Sequence, residues 1–73
     1  MLFANQNDII RCSEIVRKEL TKNNIAVNDN VVNKIAIDVM DISYSKGGDY
    51  SDSVIQSFAE TYIEEGFYKK FIE

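Results

Sequence analysis

Gly47 and Gly48 stand side by side in a chain that has no proline and one other glycine, Gly66. Paired glycines supply the positive φ that ends a helix or makes a tight turn. The chain must therefore break across Lys46-Gly47-Gly48-Asp49, with Asp49 or Ser51 placed to cap whatever follows.

Helical periodicity fills the segments on both sides. Ile9, Cys12, Val16 and Leu20 repeat at helical spacing after Asn5, Asn7 and Asp8, which suit a helix start, and the stripe runs out at Lys22-Asn23-Asn24. A second start lies at Asn28-Asp29-Asn30, with Val27 set to staple against Val32. Val31, Ile35, Val39 and Ile42 then form one helical face. Ile35, Ile37 and Val39 also alternate as a strand would, but a lone strand would lack a partner, so a helix is expected. After the glycines, Val54, Ile55, Phe58, Ala59, Tyr62 and Ile63 make a broad apolar face. Gly66 either stops this third helix, with Phe67 folding back toward Tyr62, or is passed on the way to Phe71-Ile72. The expected fold is all-α: one domain over residues 1–73, with helices at about 7–22, 29–45 and 51–65 or on to 72.

At 73 residues only one modest core is affordable. Net stability of roughly 0.05–0.15 kcal/mol per residue leaves room for a second subunit to contribute, so self-association, as a helical homodimer, is expected. A 45% apolar and 27% charged composition describes a folded protein, too interrupted by charge to span a bilayer. Met1-Leu2-Phe3-Ala4 lacks the features of a signal peptide, which points to the cytoplasm and to no membrane association.

Catalytic chemistry has few carriers here. Histidine is absent, and the single cysteine, Cys12, sits in the apolar stripe of the first helix as a small buried hydrophobe would. Asp41, Ser43, Ser45, Gly47, Asp49 and Asp52 fall at the positions of an EF-hand loop. Lys46 nevertheless stands where the turn needs glycine, and Asp52 where a bidentate glutamate belongs. Asp38 with Asp41, and Glu60 with Glu64 and Glu65, read as exposed helical acids. No phosphate loop, nucleophile elbow or zinc spacing occurs. Neither enzyme activity, nor a cofactor, nor a metal is expected.

The surface carries the remaining signal. Asp38 to Glu65 holds seven acids and one base, a net of about −6 by simple count, whereas the remainder is slightly positive. A helix-turn-helix DNA-binding regulator is the main alternative reading. It suits the break at the glycines and the Arg11, Lys18 and Lys22 stripe, but the third helix would bring acids and no base to phosphate over residues 51–65, so direct nucleic-acid binding is not expected. Seven of the eight aromatic residues lie after residue 43, more than three short helices enclose, and Phe67, Tyr68 and Phe71 crowd the C-terminal turn. Ile37, Met40 and Tyr44 form a second apolar strip on the middle helix; either that helix is central and wrapped by the other two, or the strip meets another chain. The expectation is a small regulator or inhibitor from a bacterium or phage. It would bind a protein partner with a basic surface through an acidic and aromatic face that includes Ile37, Met40, Tyr44, Glu60, Glu64, Phe67, Tyr68 and Phe71. A structural assembly subunit is the third reading.

Overall fold

The computed structural model describes residues 5–72 and contains three α-helices, α1 (Gln6–Lys22), α2 (Asp29–Ser45) and α3 (Asp52–Glu64), followed by a short 3-10 helix, Phe67–Phe71. No strand occurs among the described residues, and none of their helices is long and apolar enough to cross a membrane. The alternation at Ile35, Ile37 and Val39 is thus overridden by the longer helical period, which puts Val31, Ile35 and Val39 into one core.

Each helix starts where its cap dictates. Asn5 accepts a hydrogen bond from the Asp8 amide at 2.9 Å and donates its own amide to the Asp8 carboxylate, a reciprocal box that begins α1 one residue before the expected position. Asn28 caps α2 by accepting from the Val31 amide at 3.0 Å. Ser51 occupies the cap of α3 without a side-chain bond; Asp49 instead accepts from the Ser51 amide at 2.9 Å and shapes the approach. The Ser51 side chain and amide together hold the Asp49 carboxyl below its ordinary value.

All three helices stop on a left-handed residue: Asn24 (φ 60°), Gly47 (φ 81°) and Gly66 (φ 77°). The first two stops are full Schellman motifs, with Ile25 N–H reaching the Leu20 carbonyl at 2.9 Å and Gly48 N–H the Ser43 carbonyl at 2.8 Å. The two adjacent glycines serve different needs. Gly47 supplies the dihedral, with open space around it, whereas a Cβ on Gly48 would lie 2.7 Å from Ser43 Oγ and 3.3 Å from Val54. Ser43 is fully buried there and donates to the Asp49 carbonyl at 2.7 Å, so the turn is fastened from inside. Residues 41–45 are helical, and Asp52 is paired with Arg11, so the calcium-loop arrangement weighed from spacing does not form.

Cys12, Val16 and Leu20 of α1 meet Val32, Ile35, Ala36, Val39 and Met40 of α2 and Ile55, Ala59, Tyr62 and Ile63 of α3 in one core. Met40 belongs to it with no exposed surface, so the strip Ile37-Met40-Tyr44 is interrupted at its middle. Phe58, expected in the core, is only half-buried. Beside α1, Ser13 donates to Asn33 of α2 at 3.0 Å, and Arg17 pairs with Asp29 at 2.7 Å. Arg11 bridges Asp8 and Asp52, joining α1 to the start of α3.

Candidate functional site

α2 and α3 are joined by a short turn and run antiparallel. Gly48 next to Val54 brings the end of α2 against the start of α3, and a 2.6 Å hydrogen bond from the Tyr62 hydroxyl to Asp38 brings the end of α3 against the middle of α2. Between these two fastenings the helices leave a groove of about 410 Å³, lined by Val39, Ile42 and Lys46 of the α2 side, by Ser57, Phe58, Thr61, Tyr62 and Glu65 of the α3 side, and by Phe67. Ile42 and Phe58 are half-buried, Ser57 and Thr61 are exposed, and Phe67 is 54% exposed, so a mainly apolar trough faces solvent under a neutral hydroxyl rim. Among the described residues its only charged edges are Lys46, just past the end of α2, and Glu65, just past the end of α3. The antiparallel packing puts one at each end.

The far end is held by a polar cluster. Asp38 accepts from Tyr62 and from Lys70 at 2.8 Å, tying the 3-10 helix to α2 and α3. Burial works against the Asp38 carboxylate, but the bonds from Lys70 and Tyr62 prevail and hold its pKa below the ordinary value. Burial and the neighbouring Asp38 charge push the Tyr62 phenol well above the usual tyrosine range, so it stays a proton donor near neutrality. The Phe67 ring meets the Tyr62 ring edge-on at 5.7 Å, and the Lys70 ammonium lies 5.1 Å from the Phe71 centroid. Every member of the cluster is engaged in holding the chain end in place. Chemically this suits positioning.

The residues expected at a partner surface do not form one patch. Phe67 lines the groove and folds back on Tyr62, as the stop at Gly66 predicts. Tyr68 and Phe71 are half-buried against the core, where the 3-10 turn directs them. Ile37 (39% exposed) and Tyr44 (48% exposed, 6.4 Å from the Tyr50 ring) lie on the other side of α2: at about 3.6 residues per turn they point away from Ile42 and Lys46. Met40 between them is in the core and offers no surface. Glu60, half-buried, and exposed Glu64 are on α3 but outside the groove lining, where Glu65 stands instead.

The groove residues Val39, Ile42, Phe58 and Thr61 were not singled out as surface. Their apolar members read as ordinary core positions, because periodicity reports a face but not how closely two faces approach. One signal was present: Ser57, Thr61 and Glu65 recur every four residues, a polar stripe with a single charge running alongside Phe58. Comparison of the chain with protein families, with curated proteins and with solved structures finds no match.

Proposed function

We propose that the protein is a non-catalytic interaction module, a small regulator or inhibitor that binds a macromolecular partner stoichiometrically through the acidic and aromatic side of α3. The observation that supports this reading is the outer side of that helix and its cap. Its ionisable groups are all acids, Asp52, Glu60, Glu64 and Glu65, and it runs beside an open apolar groove ending at Phe67. Asp52 is neutralised by Arg11, whereas Glu60, Glu64 and Glu65 make no ion pair among the described residues. A one-signed flank of this kind steers a basic protein surface into contact, and the same field opposes nucleic-acid phosphate.

The test is capture from the native host with mass spectrometry, followed by binding kinetics on the protein so identified. Reversing Glu60 and Glu64 together to lysine is expected to slow association by about tenfold at low salt, with a smaller effect at high salt. An unchanged on-rate, or tight duplex DNA binding by the wild-type chain, would remove the proposal.

A further inference from the structure

The groove has an electrical property that the rest of this half of the molecule lacks. Between Asp38 and Glu65 the chain carries seven acids and one base, yet the groove lining contains only one of those acids, Glu65, together with the base, Lys46. Here, within a strongly acidic region, is an apolar face with no net charge. Within this region a contact between two copies is least opposed across such a face, since elsewhere in it acid would be set against acid.

The two charges are also arranged for self-recognition. Lys46 marks the end of the groove at the glycine turn, and Glu65 marks the opposite end, past the last turn of α3. A two-fold axis through the middle of the groove exchanges its ends. It sets Lys46 of each copy over Glu65 of the other and brings the apolar floors at Ile42 and Phe58 together. This is the condition an isologous contact must meet, in which one residue touches a second and the second touches the first. Phe67, the most exposed large apolar side chain of the described residues, is covered in the same arrangement.

We infer that the α2–α3 groove is the docking surface for a second copy of this chain, forming a two-fold dimer with reciprocal Lys46–Glu65 pairs at its rims. The inference goes beyond the partner-binding reading above. It uses the neutral face and leaves Glu60 and Glu64 outward on both subunits, so the dimer would present two acidic flanks.

Sedimentation equilibrium from low to high micromolar concentration tests it, with the wild-type chain expected to be dimeric at the upper end. Lys46→Glu and Glu65→Lys each place like charges at both rims, and each is expected to weaken the dimer about tenfold or more. Far-UV circular dichroism is the check that both variants keep their helical content. Mixing the two variants pairs opposite charges again at both rims and is expected to restore dimerisation between them. A monomeric wild type would overturn the inference and leave the groove to a different chain. So would a dimer indifferent to both reversals, or two weakened variants that mixing fails to rescue. These outcomes leave the acidic steering by Glu60 and Glu64 to be tested separately, and reversal of those two residues is expected to leave the dimer intact.

Discussion

The two sides of α2 are closed by different means. Toward α1, Ser13 and Asn33 bond across the seam, and Cys12 and Ala36 lose all exposure. Toward α3, the seam is pinned at the glycine turn and at Asp38–Tyr62, but between the pins stand Phe58, Tyr62 and Phe67, and the surface stays open. Helices approach as far as the side chains between them allow. Between Val39, Ile42, Phe58 and Phe67 this second seam leaves apolar surface for another chain to cover.

The contrast fixes the order of mutational effects. Ile35→Ala, in the closed core, is expected to cost about 2–5 kcal/mol in urea unfolding, a large part of the stability of so small a domain. Ile42→Ala, at the half-open floor of the groove, is expected to cost about 1 kcal/mol in dilute monomer. Equal losses would mean that the groove is as well packed as the core. Gly48→Ala forces a methyl against Ser43 and Val54 and is expected to cost about 1–3 kcal/mol, enough to unfasten the near pin. Removing the exposed Arg17–Asp29 pair by Arg17→Gln is expected to change stability by less than about 1 kcal/mol.

The far pin responds to pH with a definite sign. Asp38 has a depressed pKa when folded, so its contribution is complete above the ordinary carboxylate pKa of about 4 and is lost as pH falls through the folded value. Tyr62 has a raised one, so its contribution is complete below about 10 and is lost as pH rises toward the folded value. Asp38→Asn is expected to flatten the acid limb of the stability profile and to let Tyr62 ionise at lower pH, read from tyrosinate absorbance. An unshifted Tyr62 titration would show that the bond between them does not operate in solution.

Much of this fold was legible in local chemistry. The caps at Asn5 and Asn28, the break at Gly47-Gly48 and the burial of Cys12 all follow from a few neighbouring residues; at Gly66 the sequence allows both a stop and a continuation, and the structure takes the stop. What was not legible depends on distance. The bond from Tyr62 to Asp38 joins positions 24 residues apart, and Lys70 reaches Asp38 only because the helix stops at Gly66. Met40 was placed on an outer strip because Ile37 and Tyr44 share its spacing, although it stands nearer the centre of the buried face than either. The charge pattern points to Glu60 and Glu64, whereas the acid that lines the groove is Glu65.

The thiol of Cys12 is the only one in the chain; it is fully buried, and burial together with the nearby carboxylates raises its pKa despite the proximity of Arg11. A maleimide or disulfide reagent therefore meets no target until the three helices come apart, and its rate of reaction becomes a clock for that opening. The protein carries its own reporter at the centre of the bundle, one that counts excursions from the native state without any added label or denaturant.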